Sequence, residues 1–293
     1  MNTVAHIVNP FVADMSSDLF VAQPITFQSM LQAKARAKDR IKVDLLSAQF
    51  NEDLSIVPEG FQTTKSLERS VLALGFFEKP IKLPLLTDIL HRLYTESDAE
   101  FLIYTNVDIG LYPDFYLRVD EFINLGYDAF IINRRRIPSK FTSPSELDLI
   151  YKEHSKKHPG FDCFVFHRSI FPKLKLEGIC IGVPFIEISF SQNLFALSKN
   201  FKLFEEEHQT FHLGMEVFKK RAPKEYFEYN KKQFWKLIPE LKEDLDLKKF
   251  PFSGYFWPFR IIKWGLHPCI PIRLVLKLEA KRLKKLLGMI GRP

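Results

Sequence analysis

The chain has 293 residues, of which 46% are hydrophobic and 26% charged, a balance that suits a soluble globular core and excludes disordered or fibrous classes. Its three cysteines, Cys163, Cys180 and Cys269, are scattered and odd in number, which excludes a disulfide framework and a zinc-type spacing. The net charge of +7 sits late: residues 219–293 hold 19 Lys and Arg against 7 Asp and Glu, a net of +12, so residues 1–218 carry −5, which argues against a nucleic-acid-binding body and for a tail that meets an anionic partner, a phospholipid surface foremost.

The start, MNTVAHIVNPF, lacks the basic-then-apolar pattern of a secretion signal. No run of about 18 apolar residues occurs either, so a cytoplasmic protein is expected. Val4–Val8 is an apolar run stopped by Asn9-Pro10, a first strand. Pro24 opens a predicted helix through Lys38, with Ile25, Met30, Leu31 and Ala35 at helical spacing. Val43–Ala48 reads as a second strand, and the alternation predicts a doubly wound α/β sheet. Asn51–Gly60 is a polar loop. Thr64–Leu74 and Leu83–Thr95 read as helices, the second with Leu86, Ile89, Leu90 and Leu93 on one face.

Phe101, Leu102, Ile103 and Tyr104 are apolar at consecutive positions, the mark of a central strand buried on both faces. The run breaks off into Thr105-Asn106-Val107-Asp108. Ligands of open α/β sheets bind beyond the carboxyl ends of the strands. Asn106 and Asp108 are therefore candidates to meet a hard divalent cation and the diphosphate it bridges. An Asp that caps the next turn is the plain alternative.

Phe115–Leu125 is a predicted helix and Ala129–Ile132 a strand that delivers Asn133-Arg134-Arg135-Arg136. Arginine offers planar, multi-donor contacts to phosphate oxygens. Strand alternation sets Arg134 and Arg136 on one side and Arg135 on the other. Arg134 is the preferred site residue, against a solvated charge run. After a loop at 138–144 and a short helix over Glu146–His154, His158-Pro159-Gly160-Phe161 turns into a strand with Asp162 at its mouth. Ile179–Pro184 leads to a helix start in which Glu187 is the lone acid among apolar neighbours. Such a carboxylate has its proton affinity raised toward that of a general base, unless the helix dipole stabilises it instead. Then come Glu205-Glu206-Glu207 and, four apart, His208 and His212. On a helix the two histidines would share a face and ligate a metal, while the glutamates would form a solvated surface.

In this order the motifs resemble the glycosyltransferase A-type (GT-A) fold, and more narrowly a group of sugar-transferase-like proteins of bacterial surface polysaccharide synthesis. That group runs from Asn-Ser-Asp-Ile through an arginine strand, a Gly-x-Asp-Tyr/Cys-Phe-x-Phe strand and a Gly-x-Pro segment with an acid to His-Gln-x-x-His. The counterparts here are Asn106-Val107-Asp108-Ile109, Asn133-Arg134-Arg135-Arg136, Gly160-Phe161-Asp162-Cys163-Phe164-Val165-Phe166, Gly182-Val183-Pro184 with Glu187, and His208-Gln209-Thr210-Phe211-His212. The resemblance covers roughly residues 4–214 and implies a single Rossmann-like GT-A domain with a mostly parallel central sheet, over residues 1–218.

It also implies transfer of a sugar from a nucleotide-diphosphate donor to a glycan or lipid-linked acceptor, assisted by Mn²⁺ or Mg²⁺. Asn106, Asp108 and Arg134 would bind the donor, and Asp108 and His208 the metal, with His212 ranked behind His208. Glu187 would be the catalytic acid-base residue and Asp162 would line the acceptor side. Two departures stand out: Asp-x-Asp has become Asn-Val-Asp, and the usual late Asp is Glu187. Either would mark a diverged or inactive member.

Residues 219–293 form a basic, aromatic-rich helical extension. From Phe250 on, nine Lys and Arg face the single Glu279, interleaved with Phe250, Phe252, Tyr255, Phe256, Trp257, Phe259 and Trp264. Ile272–Met289 has amphipathic spacing, with Leu276, Leu283, Leu286 and Leu287 against Lys277, Lys281, Lys284 and Lys285. Such a helix would lie in an anionic membrane interface, on the inner face of the cell membrane, or else pack on the body as an ordinary terminal helix. Two other functions fit the same parts: a non-catalytic, membrane-docked scaffold that kept the fold, and a nucleotidyltransferase. The latter lacks a glycine-rich phosphate loop near the N-terminus.

Overall fold

Strand β1 (Thr3–Val8) sends alternate side chains to two different layers: Ala5 and Ile7 join one apolar cluster, Val4 and Val8 another. That alternation, repeated along the sheet, builds a helix–sheet–helix sandwich. The computed structural model describes residues 1–214 and 223–290, with side chains described up to residue 284. The expected domain boundary after residue 218 lies outside the described residues, as do the side chains of Lys285, Leu286 and Leu287.

In chain order the elements are β1, α1 (Asp18–Ala37), β2 (Lys42–Ser47), β3 (Gln62–Thr63), α2 (Leu86–Thr95), β4 (Phe101–Thr105), β5 (Gly110–Leu111), α3 (Phe115–Asn124), β6 (Ala129–Ile137), α4 (Leu147–Lys152), β7 (Lys156–His167), α5 (Ile186–Leu197), β8 (Phe201–Phe204), β9 (Thr210–Leu213), α6 (Lys224–Leu241), α7 (Trp257–Leu266) and α8 (Ile272–Ile290). The sheet order is β3-β2-β1-β4-β7-β6-β9-β5, with β8 also paired to β6. It is mostly parallel, as expected; β7 runs against both β4 and β6, and β5 runs against β9.

The reversed strand decides the geometry of the site. Because β7 is antiparallel to its neighbours, its beginning lies at the edge where β4 ends. Cys163 pairs with Thr105 and Phe161 with Asn133. Asp162, early in β7, therefore comes within electrostatic reach of Asp108 in the loop that follows β4. Registers shift on either side of Asn133, a bulge of the kind that re-aims side chains next to functional edges.

One layer carries α1 and α3 over Val4, Phe101, Ile103 and Val165; the other carries α2, α5 and α6 over Ala5, Leu102, Tyr104, Phe164 and Phe166. Trp264, Cys269, Leu274 and Val275 belong to that second cluster, so α7 and α8 pack on the same core as the sheet.

Two local expectations are corrected, and one conditional reading is settled. Residues 64–74 are not a helix: the chain runs past β3 as a loop, with Thr64 Oγ1 donating to Ser47 O at 2.9 Å and a single 3₁₀ turn at Val71–Ala73 capped by Ser70. Two side chains that bond the backbone, Thr64 to Ser47 O and Ser70 to Leu72 N, outweigh the apolar spacing there. Helix α1 starts at Asp18, capped by Ser17, with Pro24 inside it. The segment with His208 and His212 is a turn and a strand rather than a helix, because Phe211 and Thr210 pair with Gly110 and Leu111.

Candidate functional site

Beyond the end of β4 the chain bends at Asn106–Asp108 and re-enters the sheet as β5. Tyr104 donates its hydroxyl to Asn106 Oδ1 at 2.9 Å, which fixes the asparagine side chain against the strand end. Two residues after Asp108, Gly110 pairs with Phe211 of β9. That pairing brings His212 to the loop, and its Nε2 lies 3.1 Å from Asp108 Oδ2. Where the Asp108 carboxylate is ionised it can only accept, so Nε2 is the donor in this contact, and a cation bound by the two side chains would take the place of that proton. His212 is buried and Asp108 partly so.

His208 stands apart. It is exposed in the turn before β9, among Glu206, Glu207, Lys157 and Arg135. The histidine that meets Asp108 is therefore the second of the pair, because only it falls in the strand.

Arg134 pairs with Asp162, joining β6 to β7; the side chains are 17% and 2% exposed. Its neighbour Arg135 turns the other way, donating from Nη2 to Ser155 O at 2.8 Å. This matches strand alternation. The carboxyl of Asp162 is pushed up by burial and, more weakly, by the nearby Asp108 charge, while Arg134 acts against both. Asp162 Oδ2 and Arg134 Nε are buried without a hydrogen-bond partner. His158 lies beside the pair, its Nε2 3.5 Å from Arg134 Nη2 and its Nδ1 accepting from Gly160 N at 2.9 Å. Burial, then the Arg134 charge, pushes His158 down to about 3, so it is neutral at physiological pH.

Glu187 arrives from a third direction, in the first turn of α5. The turn that delivers it contains Gly182 at φ 83° and Phe185 at φ 85°, the latter a left-handed conformation that costs a non-glycine residue about 1–3 kcal/mol. Burial and then the Asp162 charge push the Glu187 carboxyl up to about 7, with Asp108 adding to the effect and Arg134 opposing it. Burial and the charges of Glu187 and Asp108 also raise the Tyr104 hydroxyl. The three acids Asp108, Asp162 and Glu187 thus share one electrostatic neighbourhood with Arg134 and His212.

Two residues of this neighbourhood were not marked by any sequence signal for a site. The turn between α7 and α8 places His267 against Phe161, ring centroids 5.3 Å apart. It also sets Cys269 near Glu187, Asp162 and Arg134, whose charges bear on its thiol. A further unmarked feature is a cavity of about 390 Å³ beyond the end of β1, with Phe11, Val12, Phe20, Gln23, Phe27 and Leu31 in its wall. Its signal was present in the sequence only as two phenylalanines flanking a polar loop.

The residues present are compatible with a divalent cation of the kind found at phosphate sites. Asp108 supplies a hard oxygen and His212 an imidazole, while among the described residues no group of three or more His, Cys, Asp and Glu could hold a metal. Two protein ligands suffice where substrate phosphates and water complete the shell.

No family model matches the sequence, and neither does any curated protein. Solved structures do match. Residues 1–349 of S. aureus TarS in complex with UDP-GlcNAc align with a TM-score of 0.51 at 10% identity, over 85% of this chain and 68% of that one. Glucosyl-3-phosphoglycerate synthase from Mycobacterium tuberculosis, in complex with Mn²⁺, UDP and glucosyl-3-phosphoglycerate, aligns at 0.46 and 12% identity, over 82% of this chain and 80% of that one. The fold is GT-A-like, as the order of motifs implied.

Proposed function

We propose that the chain transfers a sugar from a nucleoside diphosphate donor to a hydroxyl of a glycan or lipid-linked acceptor. The observation that carries this reading is the meeting of Asp108, His212, Arg134, Asp162 and Glu187 at the carboxyl edge of a GT-A-like sheet. Asp108 and His212 would hold a Mn²⁺ or Mg²⁺ ion, which when bound neutralises charge on the departing diphosphate. Arg134 keeps an unpartnered Nε–H for a phosphate oxygen, held in orientation by Asp162. Asn106, fixed by Tyr104, lines the donor side. The apolar cavity beyond β1 has the walls and volume for a nucleobase.

Glu187 takes the role of general base. A carboxylate whose proton affinity lies near neutrality both accepts a proton from an acceptor hydroxyl and exists in the required ionised state. Asp162 Oδ2, buried and without a hydrogen-bond partner, is the acceptor-side oxygen that would receive a second hydroxyl.

A second reading has its own observation: Asn106 stands where an acid would strengthen the cation site, and its Oδ1 already accepts from Tyr104. A scaffold that kept the fold without turnover would have such a site. Calorimetry of nucleoside diphosphates and their sugars, with and without Mn²⁺, tests the two on the wild type and on Asp108→Ala. Metal-dependent binding lost in the variant supports transfer, and the base that binds names the donor. A folded sample that binds no nucleotide overturns it. Product analysis separates sugar transfer, which frees a nucleoside diphosphate, from nucleotidyl transfer, which frees pyrophosphate.

A further inference from the structure

Helix α7 turns a row of large apolar side chains away from the protein. Phe259 is 61% exposed, Ile262 58% and Leu266 79%, and the residues at its start, Phe256 and Trp257, are 74% and 51% exposed. The spacing of Phe259, Ile262 and Leu266 by three and four places them on one stripe. The inward side of the helix is firmly held. Trp264 is buried and donates from Nε1 to Pro251 O at 2.6 Å. Arg260 Nη2 lies 2.6 Å from Glu279 of α8, whose side chain is 4% exposed. The helix therefore presents its apolar stripe outward in a fixed orientation. Single exposed apolar residues need no explanation, but a continuous row of aromatic and aliphatic side chains marks an interaction surface.

The charges around it select the partner. Lys263 of α7 and Arg273, Lys277 and Lys284 of α8 are all exposed. The one acid from residue 250 onward, Glu279, is buried against Arg260. Exposed Trp257 and Tyr255 beside such cations suit the headgroup layer of a bilayer. No described helix is long and apolar enough to cross a membrane, so contact of this kind lies in the interface.

We propose that the outward stripe of α7, with the exposed basic residues of α7 and α8, docks the protein on an anionic phospholipid bilayer. Helix α8 buries Leu274 and Val275 in the core and leaves Leu276 and Leu283 exposed, so it adds a smaller apolar edge to the aromatic stripe of α7. The helix ends at Leu266, and the next residues, His267 to Cys269, pack against Phe161 and beside Glu187. Docking thus holds the site close to the membrane surface. On the sugar-transfer reading, and only on it, this narrows the acceptor to one held in the membrane.

The test is co-sedimentation of the full chain with phosphatidylcholine vesicles, with and without phosphatidylglycerol, and with salt varied. Binding that requires phosphatidylglycerol and weakens with salt is expected. The variant Phe259→Ser/Ile262→Ser should lose about tenfold or more in partitioning while keeping its circular dichroism and its nucleotide binding. Lack of binding, equal binding to neutral vesicles, or a variant that binds like the wild type would overturn the proposal. So would a stable dimer in solution that the variant dissociates, because a second copy would then cover the stripe. Nucleotide binding measured on the same samples keeps the two readings separate. Vesicle binding without nucleotide binding removes the transferase reading and leaves the docking surface standing.

Discussion

His212 Nε2 and Asp108 Oδ2 meet at 3.1 Å although 104 positions separate them in the chain. The cause is the shortest antiparallel pairing in the sheet, Gly110 with Phe211 and Leu111 with Thr210, which folds the loop after β4 back onto β9. If this pair holds the cation, His212→Ala should weaken Mn²⁺-dependent nucleotide binding by at least about tenfold. His208→Ala, at an exposed turn, should leave it unchanged. Calorimetry on the two variants decides between the histidines, and equal losses would place the cation elsewhere.

The Glu187 carboxyl, pushed up to about 7 chiefly by burial, ties activity and stability to pH in opposite directions. As a base it must be ionised, so transfer should rise with pH through about 7 and then level off. Glu187→Gln should lower turnover by about 10²–10⁴-fold and abolish that limb. For stability, the folded state holds the proton more tightly than the unfolded chain, whose value is near 4.5. Between these values the native state binds more protons, so stability falls as pH rises and stays lowered above about 7. Glu187→Gln should then be more stable than the wild type at alkaline pH, by roughly 2–3 kcal/mol, and little different in acid. A urea-melt difference independent of pH would show that the carboxyl is solvated in the folded protein.

Arg134 and Asp162 form a pair in which the acid is almost wholly buried. Removing the arginine leaves that acid uncompensated, so Arg134→Ala should cost about 3–5 kcal/mol. Replacing both partners by apolar residues, as in Arg134→Met/Asp162→Leu, should recover most of it, because the desolvation of two charges disappears together. Chemical denaturation of the single and double variants reads this directly. A single variant within about 0.5 kcal/mol of the wild type would mean the pair is a surface contact.

Much of this arrangement was legible in the sequence, for a definite reason. Phe101 to Tyr104 are apolar at every position, so the central strand and its polar exit at Asn106 and Asp108 could be placed without any tertiary knowledge. Alternation also set Arg134 and Arg135 on opposite sides, as observed. The choice between His208 and His212 was beyond local reasoning. Spacing by four serves a helix and a strand alike, and only the pairing of Phe211 with Gly110 settles which one forms. Residues 64–74 have helical apolar spacing but form a loop, because Leu67 and Val71 are buried in two separate clusters rather than along one helical face. His267 and Cys269 carried no signal because their place depends on how α7 and α8 pack over Phe161, a contact across 106 residues of chain between His267 and Phe161.

Gly110 is the position where the site is most sensitive to a single methyl group. A Cβ there would lie 2.2 Å from Phe211 Cζ and 2.5 Å from Cε2, far inside any real contact. Phe211 cannot swing aside, since it is 1% exposed and its ring packs edge-on against Tyr112 and Tyr151 at 5.5 and 6.3 Å. The strain must therefore pass to the backbone of β9, which carries His212 in the next position. Gly110→Ala should cost about 1–3 kcal/mol from overpacking. It should also lower Mn²⁺-dependent nucleotide affinity even in samples that remain folded, because His212 is drawn away from Asp108. Gly254→Ala is the matched control, as a Cβ at that position meets nothing within 4 Å. Thermal melts and nucleotide titrations of the two alanine variants should part clearly. If Gly110→Ala melts and titrates like Gly254→Ala, the short β5–β9 pairing does not set the distance between the histidine and the aspartate.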